Sequence, residues 1–301
     1  MDSLTAKNFL PDFKNRKDII YGIAKQYKNT RCKVFSKSLC MRDIYSIEIG
    51  NTKEQVLFVG AFHGMEWLTS MVLLRFAKNV CESIKNKSKM AGIDMSLFLK
   101  RRGILIIPCI NPDGVEISLH GSKAARRYQE LVKCVSLNDT SQWQANARGV
   151  DLNHNFPAGW DELHKLEKAA AICGPAPTRY GGEFPGSEPE VKSLINLCKT
   201  KNFRHALAFH SQGEEIYWDF GEHTPPQSKL MANAMANSSG YKVSEPEGLA
   251  VGGGFKDWFI DYCRKPGFTI EIGKGKNPLP MSDLDSIYSQ IEEMLVLSVI
   301  M

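Results

Sequence analysis

Gln55-Val56-Leu57-Phe58-Val59-Gly60-Ala61-Phe62-His63-Gly64-Met65-Glu66 contains the change of pattern that decides the fold. Its first half is an unbroken apolar run of strand length, the mark of a strand covered on both faces. Beyond it, Leu68, Met71, Val72, Phe76 and Val80 recur at helical spacing, which predicts a helix over about 66–84. A buried strand feeding a helix is the repeating unit of a largely parallel sheet with helices on both faces.

The unit recurs along the chain. Further apolar runs at 103–108, 206–209 and 267–272 read as strands, and helices are expected at 188–200, 227–239, 255–263 and 282–298. Near the start, an amphipathic helix runs through Ile19-Ile20-Tyr21-Gly22-Ile23-Ala24. A hairpin follows, with Cys32-Lys33-Val34-Phe35 and Ile44-Tyr45-Ser46-Ile47-Glu48-Ile49 as its strands. The fold class is therefore α/β. No repeat, low-complexity tract or Pro/Ser-rich linker interrupts residues 1–301, which read as a single domain.

Composition agrees. With 301 residues and 43% hydrophobic content the chain can bury a large core, and 24 Gly with 14 Pro excludes a collagen-like or disordered chain. A net charge of +5 is too diffuse for nucleic acid and mildly favours acidic small substrates. No stretch reaches the roughly 18 apolar residues of a membrane span. Residues 1–7 lack a basic head followed by an apolar run, so no secretory signal is expected. The eight cysteines form no Cys-x-x-Cys pair, and they read as reduced thiols of a cytoplasmic protein.

In open α/β sheets chemistry gathers at the carboxyl ends of the strands. His63 and Glu66 stand in such a place, in the turn after a strand, and can converge on one point. Imidazole nitrogen and carboxylate oxygen suit zinc, whose catalytic sites take three protein ligands and keep one position open. Alone, the pair reads as readily as a turn histidine and a helix-start carboxylate favoured by the helix dipole. His210, closing Ala206-Leu207-Ala208-Phe209-His210, fits as third ligand. His205 lies an odd number of residues away, hence faces the other side of the strand and reads as a surface or packing histidine. Glu271, a lone carboxylate inside Phe268-Thr269-Ile270-Glu271-Ile272, is a candidate general base or one half of an ion pair. Asn111-Pro112-Asp113-Gly114 reads as a turn. In Arg148-Gly149-Val150-Asp151-Leu152-Asn153-His154, Asn153 and His154 offer donors suited to a substrate carboxylate.

Taken in order, His-x-x-Glu, Asn-Pro-Asp-Gly, Gly-Val-Asp-x-Asn, strand-His-Ser, Gly-Gly-x-x-Asp-Trp and strand-Glu resemble the zinc metallocarboxypeptidases, the carboxypeptidase A-like enzymes, from His63 to Glu271. The resemblance implies a three-layer αβα fold with a mixed, mostly parallel sheet of about eight strands. It implies one Zn2+ per chain held by His63, Glu66 and His210, with Glu271 activating water. Where the digestive enzymes carry a carboxylate-clamping Arg, this chain has His154, charged only part of the time near neutrality. Their capping Tyr aligns near Leu249 and their carbonyl-polarising Arg near Gln144, which leaves Arg148 as the candidate for that catalytic role. Lys256 occupies the specificity position and would favour an anionic group.

Gly-Val-Asp-Leu-Asn-His-Asn-Phe-Pro, His-Ser-Gln-Gly-Glu-Glu-Ile-Tyr-Trp and Gly-Gly-Gly-Phe-Lys-Asp-Trp-Phe are similar to the bacterial γ-D-glutamyl-diaminopimelate peptidases. That branch implies hydrolysis of the γ-D-glutamyl–meso-diaminopimelate bond in cell-wall (peptidoglycan) peptides. The expected partner is a peptide or muropeptide carrying several carboxylates, with neither nucleic acid nor membrane involved. A general carboxypeptidase acting on peptide C-termini is the alternative. A non-catalytic module on the same scaffold would be expected to lack a ligand or the base, and all four residues are present.

Overall fold

Every residue of the run Gln55–Gly60 is buried, and its side chains divide by parity. Val56 and Phe58 join one apolar cluster, Leu57 and Val59 another. The same split recurs between Ile104/Ile106 and Leu105/Ile107, and between Leu207/Phe209 and Ala206/Ala208. A two-residue period with both sets buried is what a strand in the middle layer of three must show.

The computed structural model describes residues 9–28 and 30–301; the expectation drawn from residues 1–7 lies outside the described residues. The strands are β1 (Thr30–Lys37), β2 (Asp43–Gly50), β3 (Gln55–Gly60), β4 (Gly103–Ile107), β5 (Phe203–His210), β6 (Glu215–Tyr217), β7 (Lys242–Ser244) and β8 (Gly267–Glu271). They form one eight-stranded sheet in the order β1-β2-β4-β3-β5-β8-β6-β7. The central pairings β4/β3, β3/β5 and β5/β8 are parallel, as is β6/β7, while β1/β2, β2/β4 and β8/β6 are antiparallel. The sheet is thus mixed, with parallel strands at its centre.

The helices are α1 (Phe13–Gln26), α2 (Leu68–Asn86), α3 (Met95–Leu99), α4 (Pro112–His120), α5 (Gln129–Val135), α6 (Trp160–Ala169), α7 (Pro189–Thr200), α8 (Ser228–Ser239), α9 (Phe255–Cys263) and α10 (Leu284–Ile300). Residues of α1, α2, α8 and α10 share the cluster containing Phe58 and Phe209. Those of α7 and α9 share the cluster containing Leu57 and Ala208, on the opposite face. Helices therefore cover both sides, giving the three-layer arrangement implied by the resemblance.

The helix expected over 66–84 differs at its start. Gly64–Glu66 is a separate 3-10 turn, and α2 begins at Leu68. The turn is held from outside, because Gly64 N donates to Gln144 O and Met65 N to Trp143 O, each at 2.9 Å. His205 is the packing histidine: it is 2% exposed, with Nε2 2.7 Å from the Ser298 carbonyl oxygen on α10.

Candidate metal centre and active site

Parity and register bring the chemistry together. On β5, His210 shares the parity of Ala206 and Ala208; on β8, Glu271 shares that of Thr269, opposite to Phe268 and Ile270. β5 and β8 pair with His210 directly beside Glu271. Both side chains thus leave the sheet at its carboxyl end, toward the same cavity.

His63 reaches that point from the turn after β3, whose shape depends on glycine. A Cβ on Gly64 would lie 2.3 Å from the Gly114 carbonyl oxygen, a contact no side chain tolerates. The block Asn111–Gly114, read as a turn, is the buttress behind it. Asn111 Nδ2 donates to Phe62 O at 2.9 Å, and Asn111 Oδ1 accepts from Gly114 N at 2.8 Å, capping α4. Fully buried Asp113 accepts from Ser38 Oγ (2.9 Å), Cys40 N (2.7 Å) and Arg42 Nη1 (2.7 Å). With an Arg and a backbone N–H on it, this buried carboxylate is compensated.

His63, Glu66 and His210 form a group that can hold a metal ion. His63 Nδ1 lies 2.8 Å from Glu66 Oε1; His210 Nδ1 lies 3.1 Å from Glu66 Oε2 and 3.3 Å from His63 Nδ1. Two imidazole nitrogens and a carboxylate so aimed at one another fit a cation between them. The ligand-to-ligand edge of a tetrahedral zinc site with bonds of about 2.0–2.1 Å is about 3.3–3.4 Å. Their electrostatics suit the same ion. Burial pushes the Glu66 carboxyl up, but the His63 and His210 imidazoles outweigh it and hold it below the usual range. Burial pushes His63 down, while Glu66 and Asp151 together raise it well above the ordinary imidazole value.

Asp151 stands behind His63, a role that its place in a loop does not reveal in the sequence. Its Oδ1 lies 3.1 Å from His63 Nε2, the ring nitrogen facing away from the metal group. A carboxylate behind a ligating imidazole fixes its tautomer and raises its basicity. The signal was available in Gly-Val-Asp, but a loop residue's partner cannot be read from one sequence. Glu271 lines the cavity, its carboxyl raised well above the ordinary value by burial and then by the negative charge of Glu66. Desolvation beside another acid is the environment that turns a carboxyl group into a proton acceptor near neutrality.

The cavity, about 450 Å³, is also lined by Gln144, Asn153, His154, Arg179, Tyr217, Leu249 and Lys256. Asn153 Oδ1 accepts from Phe255 N at 3.0 Å, tying its loop to the start of α9. His154 Nδ1 lies 2.8 Å from Glu167 Oε1, and Nε2 has no protein partner among the described residues. Lys256 is buried; its Nζ pairs with Asp257 and donates to Asp219 O at 2.6 Å. Arg148 is not brought to the cavity. Its Nη2 donates to both Glu188 oxygens, at 2.9 and 3.0 Å, so its guanidinium is already spent on a buried carboxylate. The arginine on the cavity wall is Arg179, in a loop whose sequence carries no motif that marks it.

The mixed sheet, its covering helices and the His–Glu–His group are the fold and donor set of the carboxypeptidase type, and the chain belongs to the zinc carboxypeptidase family, whose model matches residues 17–293. It is 36% identical over 257 residues to the γ-D-glutamyl-L-diamino acid endopeptidase 1 of Lysinibacillus sphaericus, covering 84% of this chain and 63% of that protein. Bovine carboxypeptidase A1 is 28% identical over 252 residues, 77% of this chain and 54% of the relative. The chain thus spans under two thirds of the length of both relatives. The crystal structure of thrombin activatable fibrinolysis inhibitor shares the fold, with a TM-score of 0.74 and 20% identity over 96% of this chain and 73% of its own. No helix among the described residues is long and apolar enough to cross a membrane.

Proposed function

We propose that the chain hydrolyses the γ-D-glutamyl–meso-diaminopimelate bond of cell-wall peptides. One observation carries this reading: a complete His63–Glu66–His210 group stands in a chain 36% identical, over 84% of its length, to a γ-D-glutamyl-L-diamino acid endopeptidase. Zinc held by these three residues supplies Lewis acidity, which acidifies water and polarises a carbonyl group. Glu271 takes a proton from the attacking water on its carboxylate and returns it to the leaving nitrogen of diaminopimelate. Asn153 and His154, through its unpartnered Nε2, position a carboxylate of the diaminopimelate half. Lys256, its Nζ shared with Asp257, lines the cavity wall and offers a further donor to an anionic group of the substrate.

Residues 1–301 act as one catalytic domain in this reading, and the protein works in the cytoplasm. All eight cysteines are free, Cys134 and Cys173 among them exposed, as a reducing compartment permits. Fractionation of cells with an antibody to the protein tests that location; enrichment in the culture fluid would overturn it.

The likeness to bovine carboxypeptidase A1 favours a second reading, removal of C-terminal residues from ordinary peptides. Against it, His154 and Leu249 stand where the digestive enzymes' clamping Arg and capping Tyr align, and both line the cavity. Mass spectrometry of products from L-alanyl-γ-D-glutamyl-meso-diaminopimelate, with and without a chelator, separates the readings. The expected products are L-alanyl-γ-D-glutamate and free diaminopimelate, absent with chelator. Cleavage of blocked dipeptides in preference to the tripeptide would establish the second reading instead.

A further inference from the structure

Five side chains that carry or can accept positive charge line the cavity: His63, His154, Arg179, His210 and Lys256. Four are engaged by protein groups. His63 and His210 face Glu66, His154 faces Glu167, and Lys256 pairs with Asp257. Arg179 differs. Its exposed guanidinium makes no ion pair or hydrogen bond among the described residues, although Glu247 and Glu271 line the same cavity.

The backbone that carries Arg179 is, by contrast, tied down on every side. Arg179 N donates to Asp151 Oδ2 at 3.0 Å, using the carboxylate whose other oxygen faces His63. Pro177 O accepts from Gln144 N and Ala145 N, at 2.9 and 3.0 Å, and Thr178 Oγ1 donates to the Gln144 side chain. On the far side, Tyr180 O accepts from Asp151 N at 2.8 Å and Gly181 N donates to Glu167 Oε2 at 3.1 Å. Arg179 itself sits at φ +66°, a left-handed conformation uncommon outside glycine that persists only where surroundings impose it. A fixed backbone presenting an uncommitted guanidinium to a metal cavity is built to receive an anion. The planar fork of five donors matches a carboxylate in two parallel hydrogen bonds.

We propose that Arg179 clamps a free carboxylate of the substrate, distinct from the one positioned by Asn153 and His154, and so determines specificity. The inference rests on the peptidase reading for the identity of the substrate. The γ-linkage leaves the α-carboxylate of glutamate free, and diaminopimelate brings two more, so such a peptide offers anions that an α-linked neutral dipeptide lacks.

The test compares zinc-loaded wild type, Arg179→Ala and Arg179→Lys on the tripeptide and on three versions, each with one of those carboxylates converted to a carboxamide. Loss of a charge-assisted pair predicts a fall in kcat/KM of about 10–100-fold for Arg179→Ala on the full tripeptide, mostly through KM. Arg179→Lys should restore part of it. On one carboxamide peptide the penalty should shrink to about threefold or less, which identifies the carboxylate held. Equal penalties on all four peptides, or none, would overturn the proposal. Calorimetry with L-alanyl-γ-D-glutamate and with diaminopimelate repeats the comparison without turnover. Should wild type cleave none of the peptides while Arg179→Ala still weakens one of these ligands tenfold, the clamp stands and the peptidase reading falls. Cleavage by wild type with no effect of Arg179→Ala means the reverse, and failure to bind or cleave at all removes both.

Discussion

The two walls of the cavity are built in opposite ways. On the metal side, the turn Gly64–Glu66 packs against Gly114 and is held by the Trp143 and Gln144 carbonyls, while Asn111 ties down the Phe62 carbonyl just before it. On the mouth side, Glu247, Leu249, Ala250 and the Arg179 side chain line the cavity from exposed or half-exposed positions with few ties. The contrast separates two tasks. Chemistry needs side chains held to a fraction of an ångström, whereas selection among substrates needs groups left available to them.

The sharpest way to break this contrast is at the metal side. His63→Ala should lose bound zinc and essentially all hydrolysis, while Glu271→Gln should keep zinc and still lose about 10²–10⁴-fold in kcat. Metal content by mass spectrometry beside initial rates tells them apart; a Glu271→Gln protein turning over near the wild-type rate would remove Glu271 from its assigned role. Next in size comes Asp151→Asn. An amide cannot accept on both sides, from His63 and from Arg179 N, so zinc affinity should fall about 10–100-fold in a chelator competition.

Stability offers the third comparison. Gly64→Ala forces backbone apart at Gly114 and should cost about 2–4 kcal/mol in denaturant unfolding, whereas Glu247→Ala on the mouth side should stay within about 0.5 kcal/mol. Similar losses for both would erase the distinction between the walls. The smallest effect concerns Glu190, buried at the start of α7 with Oε1 accepting from Leu39 N at 2.8 Å. Burial, then the nearby charge of Asp113, raise its carboxyl to about 8. Between its ordinary value of 4.5 and 8 the folded protein holds a proton that the unfolded chain has released, so this group makes stability fall as pH rises through that window. Thermal melts at pH 6 and 9 should show wild type losing at least about 2 °C more than Glu190→Gln. Parallel pH profiles of the two proteins would mean Glu190 ionises normally.

How much of this was legible beforehand follows the same division. β3, β4, β5 and β8 announced themselves because strands buried on both faces write continuous apolar runs. β6 and β7, three residues each, are too short to show any period. α4 was hidden because Pro112-Asp113-Gly114 has the composition of a turn, although Asn111 caps it and Pro sits in its first turn where a missing N–H costs nothing. His63, Glu66, His210 and Glu271 lie at strand ends or the turn that follows one, where position can be inferred from pattern. Arg148 and Arg179 both sit in irregular loops. Nearness in sequence to Gln144, where the digestive enzymes' carbonyl-polarising Arg aligns, favoured Arg148, and only the fold shows Glu188 taking it and Arg179 facing the cavity.

The register of β5 against β8 has a last consequence. Because His210 and Glu271 are neighbours across a parallel ladder, their separation is set by inter-strand spacing of about 4.8 Å, a ruler made of main chain. Loops can be lengthened, exchanged or recharged without stretching that ruler, so new substrates can be accommodated while the distance from ligand to base stays constant. Altering that distance would require the ladder to slip by whole residues, and a slip of one would turn a side chain to the wrong face of the sheet.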